Sequence, residues 1–209
     1  GRTSAYEGVS YTQFLLPGLV MMAVIQNAFA NTSSSMVQSK VMGNLVFLLM
    51  APLSPLQWFG AYVLAALLRS LLVAVAMLAV TLPFVQLPFE APLVLIAHFL
   101  LAGSSLAVLG LIAGIVANKF DHVASFTNFF IMPASFLSGV FYSVHSLPGV
   151  WYQISHLNPF FYMIDGFRYG FFGHADVPAW VSLGWSACFF AVASTACLFI
   201  LQRGYRLRP

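Results

Sequence analysis

The side chains in this 209-residue chain able to do chemistry are few: five histidines, five carboxylates, two cysteines and eight lysines or arginines. His98, His122, His145, His156 and His174 contain no pair four residues apart, and no cysteine–histidine spacing matches a zinc site. The last three fall in one segment, but no carboxylate completes a ligand triad with them, so interfacial hydrogen bonding is their expected role. Ser135 or Ser138 beside His145 would make a nucleophile and a base without a third group to orient them. No G-x-x-x-x-G-K-[ST] loop occurs, so the chain cannot cradle ATP by that route, and energy must come from a partner or a gradient. Glu7, Glu90, Asp121, Asp165 and Asp176 fall at loops or helix ends, leaving no buried acid pair for a proton relay. Cys188 and Cys197, nine residues apart on a helix, lie about 13 Å apart and read as packing residues. The chain is therefore expected to be no enzyme, with no cofactor and no metal.

The elements that carry these residues belong in a membrane. The chain is 61% hydrophobic and 6% charged, with a mean hydropathy of +0.92, too little charge to cover a soluble surface. A scattered net charge of +3 argues against nucleic acid. The pattern predicts an all-α polytopic membrane protein, one transmembrane domain over 1–209, with five spans at 14–36, 56–82, 93–117, 123–142 and 180–201. Gln26, Asn27 and Asn31 must face a neighbour or a cavity and are candidates to line a pathway. Arg69, near the middle of its span, joins them. A charge there costs at least about 2.5–3.5 kcal/mol, so it should face inward, with Glu90 or Asp165 as possible partners. Gly110 and Gly114 form a small-xxx-small face for close helix packing. The apolar run inside 38–55 is too short to cross.

The stretch from Ile131 to Gly173 is mostly apolar yet broken by Pro133, Gly139, Pro148, Gly149, Pro159, Gly166 and Gly170. Each proline removes a backbone donor, and an unpaired amide in hydrocarbon costs several kcal/mol, so this is no uninterrupted span. It predicts a re-entrant element over 143–173, whose second half is two short helices joined at His156-Leu157-Asn158-Pro159. Asp165 and Arg168, three apart, are placed to pair on one helical face. Alternating five spans puts Lys40, Lys119, Arg203, Arg206 and Arg208 on one side and Arg2 and Arg168 on the other. The positive-inside rule then makes the first side cytoplasmic, leaving the start and the re-entrant element outside.

The run SGVFYSVHSLPGVWYQISHLNPFFYMIDGFRYGFFG resembles the signature region of ABC-2 type permeases, the membrane subunits of bacterial ATP-driven exporters. S-G, L-P, L-N-P and a helix carrying an arginine follow in that order. YTQFLLPGLVMMAVIQNAFANTSSSMVQSK and MAPLSPLQWFG also resemble that family at the expected places. The resemblance implies an inner-membrane permease with six spans in the full family chain, an amphipathic helix and a first span preceding this sequence. It implies a homodimer working with a separate nucleotide-binding ATPase subunit, contacted through the 38–55 loop at Lys40, Gly43, Pro52 and Pro55. It implies an outer gate at Ser138, Gly139, Pro148, Asn158, Pro159, Asp165 and Arg168. Phe141, Tyr142, Phe160, Phe161, Tyr162 and Tyr169 would favour an amphipathic or hydrophobic substrate over a small ion. A secondary carrier or channel without an ATPase, and a membrane scaffold, are the alternatives.

Overall fold

The computed structural model describes residues 9–144 and 147–204, the side chains at 48 and 49 excepted. His145, Glu7, Arg2, Arg206 and Arg208 fall outside them, so the serine–histidine pairing and those terminal charges have no structural account. The described chain is helical, in the order α1 (Tyr11–Val41), α2 (Leu45–Met50), α3 (Pro55–Thr81), α4 (Pro92–Val116), α5 (Phe120–Phe126), α6 (Met132–Phe136), α7 (Gly149–Leu157), α8 (Pro159–Phe172) and α9 (Ala179–Arg203), with a π-helical turn, Thr127–Ile131, between α5 and α6.

Helix boundaries follow from caps. Ser10 and Gln13 close a capping box at the start of α1, and Ser54 with Gln57 does the same for α3, whose first residue is Pro55. At the other end of α1, the Lys40 ammonium donates to the carbonyls of Ile115 and Ala117, capping α4 with a cation where its dipole is negative.

α1, α3, α4 and α9 are long and apolar enough to cross a membrane. The segment expected as a fifth span, 123–142, is instead a helical limb in three short pieces that ends at Phe136 and gives way to turns. Its break precedes Pro133, whose ring would meet the carbonyl four residues back in a regular α-helix. The chain widens there, and the Met132 amide bonds to the Thr127 carbonyl five residues back.

α4 is the hub, packed against α1, α3, α8 and α9. Its apolar window is 67% buried, against 22% for α3 and 17% for α9, which leaves those two helices facing outward. The α1–α4 contact rests on the expected glycine pair. A Cβ on Gly110 would sit 2.2 Å from Thr32 Oγ1 and 2.3 Å from the Phe29 carbonyl oxygen, and one on Gly114 2.7 Å from Met36 Cβ. That closeness lets Thr32 Oγ1 donate to the Ala107 carbonyl at 2.7 Å across the interface.

Gly110→Ala is therefore expected to force α1 and α4 apart, lowering stability by about 1–3 kcal/mol in thermal unfolding of the purified protein in detergent. Gly60→Ala in α3, where nothing lies within 4 Å of the new methyl, is expected to leave stability unchanged or raise it by about 0.5–1 kcal/mol. Equal losses in both variants would contradict this packing.

Candidate functional site

The broken element is built from polar side chains that hold loop backbone. α6 unwinds through Ser135, whose hydroxyl donates to the Ile131 carbonyl at 2.7 Å, and Ser138, which donates to the Ser135 carbonyl. Gly139 then turns the chain at φ +75°, a conformation costly for residues with a Cβ, and its carbonyl is left facing the core. Arg168 Nη2 donates to that carbonyl at 2.9 Å. Its guanidinium lies 3.9 Å from the centre of the Phe14 ring and its side chain is 1% exposed. Gly18 on α1 leaves room for this arginine, since a Cβ there would lie 3.0 Å from Nη2.

At the elbow between α7 and α8, Asn158 Oδ1 accepts from the Phe160 amide at 3.0 Å, with Pro159 at the first helical position. Its Nδ2 donates to the Ala134 carbonyl at 2.6 Å, tying the elbow to α6. Asp165 accepts from the amides of Asp176 and Val177, both at 3.0 Å. Asp176 in turn accepts from the Ser143 hydroxyl at 2.8 Å and the Val144 amide at 2.7 Å. Two carboxylates thus join two separate loops to α8. Asp165 lies outside the four spanning helices; burial pushes its carboxyl up to about 6, with Arg168 and the two amides pulling the other way. The pairing expected between Asp165 and Arg168 does not form, because each is committed to backbone groups.

α8 is a buried wedge. Gly166 and Gly170 lie against His98 and Leu95 of α4, where a Cβ would meet His98 Nε2 at 1.9 Å and Leu95 Cβ at 2.4 Å. Phe160, Phe161 and Tyr162 are packed inside rather than lining an open wall, whereas Phe141 is exposed and Tyr142 and Tyr169 are half-buried. Pro148 caps α7, whose Val150, Trp151 and Leu157 are exposed.

The pathway candidates lie elsewhere, on the unpacked side of α1. Arg69 Nη1 donates to Asn31 Oδ1 at 3.0 Å, and neither Glu90 nor Asp165 reaches it. Gln26 Nε2 approaches Met132 Sδ at 3.8 Å, and Asn27 Oδ1 is buried without a partner among the described residues. The 38–55 loop forms a third region. Gly43 turns at φ +73°, Pro52 and Pro55 are exposed, and Val46, Phe47 and Met50 of α2 present apolar surface to the outside.

Sequence reasoning missed Phe14 as the platform for Arg168, Asp176 as the second loop clamp, and the Gly166–Gly170 face of α8. The last repeats the four-residue glycine spacing already noted at Gly110 and Gly114.

Residues 2–172 match the ABC-2 type transporter family. The chain is 38% identical over 207 residues to an inner membrane transport permease, YadH, of Escherichia coli (strain K12), covering 99% of this chain and 81% of that protein. The YadH permease of Shigella flexneri matches with the same identity and coverage. This chain is a member of the ABC-2 type transporter family, with four described helices long and apolar enough to cross a membrane.

Proposed function

We propose that this chain is the permease subunit of an ATP-driven exporter, acting as a homodimer with a separate ATPase chain on an amphipathic or hydrophobic substrate. The observation that carries the reading is the exposed apolar elbow at α2, in a chain that belongs to this family and has no phosphate-binding loop of its own. Phe47 is 73% and Met50 76% exposed, at the end of the molecule where the positive-inside rule puts the cytoplasm. An apolar patch of that kind suits a protein partner. Lys40 joins this elbow to the C-terminus of α4, so a push on Gly43, Pro52 and Pro55 would be delivered to the hub helix.

In this reading the 120–136 limb continues as the fifth crossing segment, 1–209 forms one transmembrane domain, and residues 143–173 form the outer re-entrant cover. Ser138, Gly139, Pro148, Asn158, Pro159, Asp165 and Arg168 hold that cover shut. Gln26, Asn27, Asn31 and Arg69 line the route beneath it. α8 moves as a unit because its Asp165 and Arg168 fix the loops around it.

The decisive experiment is substrate movement in native membrane vesicles with the full-length protein. ATP depletion is expected to abolish it, and affinity purification to recover a nucleotide-binding subunit; transport that survives depletion with no such subunit would make the chain a secondary carrier or channel. Phe47→Asp, on an exposed position, is expected to cut ATPase recovery about tenfold with unchanged thermal stability, the scale of one interface anchor. Cysteines placed at Trp151 and Phe47 in a Cys188→Ser background should react with an impermeant maleimide from opposite faces of the membrane, and labelling from one face would overturn the orientation. Arg168→Gln is expected to reduce transport at least about tenfold while ATP turnover continues, because the Gly139 carbonyl and the α8 loops lose a charge-assisted bond. Unchanged transport would remove Arg168 from the gate.

A further inference from the structure

Among its 27 positions α3 carries one charged residue, and it lies on the outer face of the protomer. Arg69 is fourteen residues from Pro55 and twelve from Thr81, so the nearer helix end is about 18 Å away along the axis. Snorkelling to a headgroup layer serves residues near helix ends and does not serve this one. Among the described residues no carboxylate pairs with Arg69; its bond is to the neutral amide oxygen of Asn31. Among the described residues of the protomer, the charge therefore sits near the middle of a spanning helix with a hydrogen-bond partner and no counter-ion.

Its surroundings are those of a half-built site. Asn31 lies on the unpacked face of α1, in line with Asn27, Ser34 and Gln38 at helical spacing, a polar stripe about 16 Å long that runs toward the α2 end. Asn27 Oδ1, one turn from Asn31, has no partner among the described residues. On α3, Leu68 and Leu72 flank Arg69 at 64% and 70% exposure. A cation with hydrogen-bonding neighbours, set among exposed leucines at mid-membrane depth, fits a ligand with an anionic head and a hydrocarbon tail. A free small anion would leave the leucines uncovered, and an uncharged amphiphile would leave the guanidinium without compensation.

We propose that Arg69 and Asn31 form a mid-membrane binding site for the anionic head of an amphiphile. The proposal rests on the transport reading above and names the class of substrate that reading left open: an acidic lipid-like molecule that follows the α1 stripe to Arg69. Arg69 supplies the charge, Asn31 holds the guanidinium and orients it, and Leu68 and Leu72 cover the tail.

The test is binding by the full-length protein in an uncharged detergent, titrated with dioleoyl phosphatidic acid or dioleoyl phosphatidylcholine and read by native mass spectrometry. The unaltered protein is expected to bind phosphatidic acid about tenfold more tightly, the scale of one charge-assisted hydrogen bond. Arg69→Gln should bring that ratio close to one. Asn31→Asp should do the same by giving Arg69 an internal counter-ion while keeping its charge in place, and Arg69→Lys should retain part of the preference. Surface cations such as Lys119 and Arg203 are unchanged in all variants, so their attraction cancels in the comparison. Inorganic phosphate at the same concentration should leave bound phosphatidic acid in place. The proposal is overturned if the unaltered protein shows no preference, if the preference survives Arg69→Gln, or if inorganic phosphate displaces the lipid. Since this readout needs neither ATP nor a partner chain, a positive result alongside ATP-independent transport would sink the exporter reading and leave this site standing.

Discussion

Where a helix breaks inside a packed interior the backbone groups set free must find partners within the protein, and the α8 end of this molecule is organised by that constraint. Proline and glycine interrupt the chain repeatedly between α6 and α9, leaving carbonyls and amides at Ala134, Gly139, Val144, Asp176 and Val177 outside the helical ladders. Each meets a side chain: Asn158 for Ala134, Arg168 for Gly139, Asp176 for Val144, and Asp165 for Asp176 and Val177. Four polar residues thereby replace the solvent. They also couple the loops, because Asp165 and Arg168 stand one turn apart on α8 and displacing that helix would leave several groups unsatisfied together.

The wedge needs a surface close enough to accept it, and α4 supplies one. Glycines set four apart recur at two of its contacts, on α4 itself toward α1 and on α8 toward α4. Close approach replaces the hydrophobic drive that is missing between helices in lipid with packing and short interhelical hydrogen bonds, of which Thr32 to Ala107 is one. One consequence is an uneven molecule. α4 and α8 are enclosed, whereas α3 and α9 present most of their surface outward.

Much of this was legible in the sequence because the signals were local. Length and hydropathy located α1, α3, α4 and α9, and the glycine pair on α4 named its own contact. Punctuation by proline and glycine marked the broken element and its elbow at Asn158. What could not be read was who meets whom across the chain. Asp165 and Arg168 have the spacing of an ion pair, yet loops more than ten residues away compete for both and win, since buried backbone groups lack any other partner. The form of the limb from Phe120 to Phe136 was not legible for a related reason: Pro133 announces a disturbance, but the π turn that precedes it has no sequence mark apart from the proline.

The two arginines within the apolar part of the chain sit in different surroundings. Arg168 is enclosed, stacked on Phe14 and bonded through Nη2 to a carbonyl, with its Nε unpartnered among the described residues, and removing it would leave an acceptor unmatched. Arg69 lies on the outside of a helix with one neutral partner, and nothing within the described protomer balances it. A charge left in that condition at the centre of a spanning helix is unfavourable unless something outside the protomer compensates it. Stability alone would favour leucine there, like its neighbours Leu68 and Leu72 on α3.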